Sequence, residues 1–163
     1  MAIKQPKNIK LTAEQKATKA EIKLVWKSTF GKENTERFTT VQKYVDSECI
    51  RLMVPYTPMR TGILAKGAVL GTKIGSGEIH YTVPYARYQY YGEVYGPNIP
   101  VFEDNSGTPT RFWSPPGQTK HPTGRQLTYS TEINPLAGSH WFERMKADHA
   151  EDIVEVAKSV AGV

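Results

Sequence analysis

The spacing of hydrophobic residues changes along the chain, and each spacing predicts an element. From Thr35 to Met53 the apolar positions are Phe38, Val41, Val45, Cys49 and Leu52, three and four apart, which predicts an amphipathic helix. Pro55 ends it, because the residue before a proline disfavours helical backbone. A second stripe, Phe142, Met145, His149, Ile153, Val156 and Val160, predicts a helix over His140–Val160, with Ser139 available as a cap. Between the helices, "AVLGTKIGSGEIHYTVP" reads as a β-hairpin, with Gly75 to Gly77 supplying the turn. Its glycines do not make a phosphate loop, since the Lys–Ser/Thr signature and a following helix are both missing.

The first twelve residues are polar, carry Pro6 and have no period, so they read as an extended arm. Thr12 and Gln15 resemble a capping box, which allows a short helix from Ala13 to about Ala20. "EIKLVWK" then alternates, with Ile22, Leu24 and Trp26 on one face, and predicts a strand; one continuous helix from Ala13 to Phe30 competes with it. "PYTPMRTG" is a turn-rich connector, and Pro84 opens a short helix or turn. Pro97 to Gly138 holds seven prolines together with Phe102, Phe112, Trp113 and Tyr129. Within it "RFWS" and "QLTYSTE" are the strand candidates, and so long an irregular stretch often serves binding. The sum is an α+β fold: two main helices packed on a small twisted antiparallel sheet, with an extended N-terminal arm and a long proline- and aromatic-rich loop. The domain division is a basic arm over 1–20 and one α+β domain over 21–163, interrupted by a loop at about 97–138.

Composition narrows the function. The chain of 163 residues is 39% hydrophobic, with a formal charge of +5, and no apolar run approaches the ~20 residues of a membrane helix. "MAIKQPKNIK" lacks the apolar stretch of a secretory signal. Cys49 alone excludes an internal disulfide framework. Lys4, Lys7, Lys10, Lys16, Lys19, Lys23 and Lys27 make the first segment basic, and Glu143, Asp148, Glu151, Asp152 and Glu155 make the last one acidic. That asymmetry suits chain-to-chain contact as well as nucleic acid. His80, His121, His140 and His149 have no zinc-type spacing; His140 and His149 lie about 13 Å apart by helical rise. With no Gly-x-Ser-x-Gly motif and no nucleophile signature around Cys49, the reading is no enzyme, no cofactor and no metal.

"YARYQYYGEVYG", from Tyr85 to Gly96, holds five tyrosines. Each ring favours burial and each hydroxyl a partner, so the stretch packs in the chain's own core, stacks nucleobases, or meets another protein. In a helix Tyr88 and Tyr91 face one way and Tyr90 another, so at least one ring points off the core.

Three stretches taken in order, "VPYTPMRTGIL", "VPYARYQYYGEVYG" and "PLAGSHWFERMKADHAEDI", resemble the minor capsid (neck, or tail-completion) proteins of long-tailed bacteriophages. The matching positions are Pro58, Thr61, Gly62, Leu64, Tyr85, Ala86 and Gly92, over about Glu21 to Ala161; Tyr90 stands where many relatives have glutamate. The resemblance implies a non-enzymatic virion subunit in an oligomeric ring at the head–tail junction, joining the portal or connector side to the tail. It favours six-fold symmetry and admits twelve-fold. It implies contacts with neighbouring connector and tail proteins, genomic DNA passing nearby without sequence-specific binding, no membrane partner, and residence in the host cytoplasm during assembly. Tyr88, Tyr90, Tyr91, Tyr95, Phe112, Trp113 and Trp141 are then the candidate subunit-interface residues, because tyrosine and its relatives are large, rigid and stable when half-wet. Gly62 and Gly92 are candidate structural turns. The reading from another class is a basic module binding single-stranded nucleic acid.

Overall fold

The computed structural model describes residues 2–15, 18–103 and 107–162. Lys16 lies outside them. A hairpin of β1 (Ile9–Gln15) and β2 (Thr18–Leu24) leads into α1 (Phe30–Met53) and a 3₁₀ turn at Val54–Tyr56. Then come α2 (Ile63–Gly71), α3 (Ala86–Tyr91), β3 (Glu93–Gly96), β4 (Ile99–Val101), β5 (Arg111–Trp113), β6 (His121–Gln126) and α4 (Trp141–Ala161). The strands form three separate two-stranded antiparallel ribbons, β1–β2, β3–β6 and β4–β5. The class is therefore α+β.

The core lies where the C-terminal end of α1 meets the 3₁₀ turn, α2, α3 and the start of α4. Met53, Tyr56, Leu64, Ala86, Trp141 and Met145 are buried there, with Cys49, Ile79, Tyr81, Val83 and Ile153 packed around them. Asn134 reaches in from the last loop and donates to the carbonyls of Val54 (2.7 Å) and Thr57 (2.8 Å), satisfying the end of α1. The two long helices pack on each other. The single sheet expected beneath them is replaced by three ribbons: β1 pairs with β2 and β4 with β5, while β3 pairs with β6 across the β4–β5 segment, and no ribbon adds to another.

Three further expectations change. The segment considered for a helix at Ala13–Ala20 is instead parts of β1 and β2, where Ala13 opposes Ala20 and Leu11 opposes Ile22; the period-two pattern already seen in β2 runs through β1 as well. An arm boundary at residue 20 therefore falls inside a strand. The helix expected from Thr35 begins at Phe30: "GKENTER" shows no apolar stripe because it holds no large apolar side chain, and the arm braces it where Gly31 is buried. Ile3 donates to Thr35 Oγ1 at 3.0 Å, and Gly31 donates to Gln5 Oε1 at 2.9 Å. The hairpin expected after Ala68 is a helix followed by an extended return. Leu64, Gly67 and Ala68 are the buried face of α2, and the hairpin reading began inside that helix. Ile79, Tyr81 and Val83 do alternate, but they form no strand, and their extended segment lies along α2. Thr82 donates to the Gly67 carbonyl (3.4 Å), and a Cβ on Gly71 would come within 2.5 Å of the His80 carbonyl oxygen. The Gly75–Gly77 turn is held by buried Asp46, which accepts from Gly75 (2.7 Å) and Gly77 (3.2 Å) while Gln42 donates to its other oxygen.

Candidate interface surface

The tyrosine segment folds as α3, and Gly92 ends it at φ 72. A side chain at Gly92 would be strained by that backbone and would also meet Tyr129 Oη at 3.0 Å and Ser139 Cβ at 3.1 Å. Gly62, at φ 75, precedes α2 with open space around it. The turn after α3 is tied down by Leu127, which donates to the Gly92 carbonyl at 2.8 Å, and by Tyr129, whose hydroxyl donates to the Gln89 carbonyl at 2.5 Å.

The rings divide by function within the fold. Tyr90 is half-buried, edge-on to Trp141 with centroids 4.7 Å apart, and its hydroxyl donates to the Glu143 carboxylate. Burial, then that carboxylate, pushes its phenol well above the ordinary value near 10. Tyr88 tilts against Tyr95 at 4.6 Å, both half-buried. Tyr91 is exposed beside His140. His140 sits at φ 47, the start of α4, where its amide donates to the Tyr90 carbonyl at 2.9 Å; this contact locks α3 to α4. Trp141, expected at a subunit interface, is a core residue: it is 1% exposed, and its indole donates to the Tyr81 hydroxyl at 2.9 Å. Its place in the first turn of α4 aims it inward.

A groove of about 790 Å³ opens between α1, residues 77–84, α3 and the start of α4. Val45, Cys49, Ile79, Val83, Tyr91 and Phe142 give it a largely apolar wall. Burial raises the Cys49 thiol, with Asp46 and Glu48 adding to the shift, so thiolate is disfavoured there. Among the described residues, no three His, Cys, Asp or Glu side chains gather as a metal would need, and no helix is long and apolar enough to cross a membrane.

The proline-rich segment has two parts. Its second part is cover: β6 pairs with β3, and Tyr129, Asn134 and Gly138 bond back to α3 and the 3₁₀ turn. "QLTYSTE", expected as a strand, mostly follows β6 and makes these bonds instead. Its first part is the β4–β5 ribbon, in which Ile99 opposes Trp113 and Pro100 opposes Phe112. Phe112 is 64% exposed and Trp113 48%, and Ile99 and Phe102 are exposed with them. Phe112 and Trp113 thus stand on one projecting ribbon, while Tyr88, Tyr90, Tyr91 and Tyr95 lie on and after α3. Sequence reasoning missed Asp46, Tyr81, Asn134 and Glu143, the polar groups that hold these parts in place. Only "NP" at Asn134, a turn signal, hinted at one of them. Set against protein families, curated proteins and solved structures, the chain matches none.

Proposed function

We propose that the chain is a non-enzymatic structural subunit of a bacteriophage neck, located in the virion and assembling in the host cytoplasm into a ring that joins the head side to the tail. The observation that carries this reading is the β4–β5 ribbon, which holds Ile99, Phe102, Phe112 and Trp113 in solvent. Large apolar side chains exposed on both faces of a ribbon suit a protein–protein contact. The ordered motifs ending in Gly62 and Gly92 supply the phage context. In a closed ring each copy gives one surface and receives another, with six copies favoured and twelve admitted.

The test is the double variant Phe112→Ser/Trp113→Ser. The expected result is unchanged melting, loss of the ring mass in light scattering, and loss of joining between phage heads and tails. Virions of normal infectivity carrying this variant would refute the reading.

A further inference from the structure

Helix α2, "ILAKGAVLG", is apolar on two sides. Leu64, Gly67 and Ala68 turn inward, while Ile63, Val69 and Leu70 turn outward. Leu70 is 81% exposed, and Ile63 and Val69 are each more than half exposed. Ile74, just past the helix, is exposed as well. A helix that is hydrophobic nearly all round is ordinarily covered all round. Lys66 lies on this same outward face, three residues from Ile63 and from Val69 and four from Leu70.

The unpaired charge around the face has one sign. No acidic residue occurs between Glu48 and Glu78, and Arg60, Lys66 and Lys73 are exposed within that stretch. None of the three has an ion pair among the described residues. A fitting cover therefore brings negative charge together with apolar surface.

Among the described residues, α4 offers such a surface. Glu151 and Glu155 are exposed, have no ion pair, and stand one turn apart, a spacing at which like charges repel. Val154, three residues from Glu151, is 49% exposed beside them, and Ala147 is exposed one turn before. Lys158 closes this face, so its acidic part ends at Glu155. Other glutamates are engaged by basic side chains, as Glu33 is by Lys27, Glu48 by Arg51 and Glu103 by Arg111. Glu93 and Glu132 have no ion pair but stand singly.

The two faces do not meet within one chain. Leu64 of α2 and Trp141 and Met145 of α4 enter the same core, so each outward face points away from it. Their lengths agree: α2 rises about 13 Å, and the α4 face from Ala147 to Lys158 about 16 Å.

We propose that the outward face of α2 docks on the α4 face around Val154 in a second copy of this chain, with Lys66 and Lys73 set against Glu151 and Glu155. The giving and receiving surfaces differ, so the contact is heterologous and repeats around a ring. Taking the partner as a second copy rests on the ring reading above, and this contact adds to that of the β4–β5 ribbon.

The experiment uses the full chain and two charge variants, Lys66→Glu/Lys73→Glu and Glu151→Lys/Glu155→Lys. Self-association is followed by sedimentation at about 50 mM salt, where screening is weak. Each variant alone is expected to associate about tenfold more weakly or worse. An equal mixture of the two is expected to recover most of the loss, because each then presents the charge that the other lacks. Leu70→Gln, which removes apolar surface without adding charge, is expected to weaken association and leave the melting temperature unchanged. If the wild type forms rings and every variant does so equally, the helix contact is excluded and the ring reading stands. Weakened variants whose mixture recovers nothing show that the two faces do not meet, and overturn the proposal. A wild type that stays monomeric at every concentration excludes both the contact and the ring. Unchanged association combined with binding to phosphatidylserine-containing vesicles that Leu70→Gln abolishes makes α2 a membrane surface and likewise overturns it.

Discussion

Tyr90 touches Trp141, His140, Tyr91 and the Glu143 carboxylate from one position on α3. Its phenol stays protonated in the fold beyond the pH at which an unfolded tyrosine ionises. Between those two values the unfolded chain holds fewer protons than the folded one, so stability falls as pH rises from about 10 and is unaffected below it. Tyr56 and Tyr81 are raised in the same direction, the first by its bond to Asp148 and the second by burial. Denaturant unfolding across pH 9–11 is expected to show that decline, and Tyr90→Phe to flatten it; an equal slope in the variant would contradict the assignment. Gly92 makes a second residue-scale prediction. Gly92→Val meets both a left-handed backbone and two neighbours, and is expected to cost more than ~1 kcal/mol in a urea titration. Gly62→Val meets the backbone alone and is expected to cost less. Both glycines stand out in the sequence because they end turn-rich stretches. The bond from Tyr90 to Glu143 does not, since fifty-three residues separate them and no local pattern links a tyrosine to a distant carboxylate.

At the scale of elements, α4 was legible because Met145, His149, Ile153 and Val160 recur inward at helical spacing, although Phe142 and Val156 of the same sequence stripe are exposed. The first turns of α1 were not, because Gly31 to Arg37 holds no large apolar side chain to set a period, although Gly31 is buried against the arm. Residues 68–84 misled for a different reason: alternation at Ile79, Tyr81 and Val83 reports an extended backbone but not its partner, and here the partner is a helix with two glycines on its near side. The β4–β5 ribbon yields a prediction of its own. Ser114 donates to Asn98 Oδ1 at 2.9 Å across its base, so the chain ends left by removing residues 99–113 already touch. That deletion, closed with two glycines, is expected to leave the melting temperature within about 4 °C, the scale of a 1 kcal/mol change in a domain of this size. Removing Pro97–Thr131 takes away β6 and the Tyr129 bond as well, and is expected to unfold the chain. Circular dichroism melts distinguish the two, and equal behaviour would show that the segment is not divided as described.

For the molecule as a whole, the core is off-centre, gathered at one end of the helix pair. Trp141 is its largest fully buried side chain. Trp141→Ala is expected to lose about 3–5 kcal/mol, whereas Trp113→Ala, on the ribbon, is expected to leave unfolding nearly unchanged. A reversal of that order would displace the core from where it is drawn. The class of fold could be read from two stripes and a few turns; the arrangement of three ribbons could not, because pairing depends on register across loops whose length the sequence shows but whose path it does not. The basic arm was visible as a row of lysines, yet the antiparallel pairing that sets Ile9 opposite Leu24 was not. That arm also governs how the protein behaves as a colloid. A protease that cuts after lysine, acting at Lys27, would remove the positive excess in one step and leave a body with balanced charge. Without net repulsion between molecules, the trimmed protein is expected to be least soluble near neutral pH, where the intact chain stays dispersed.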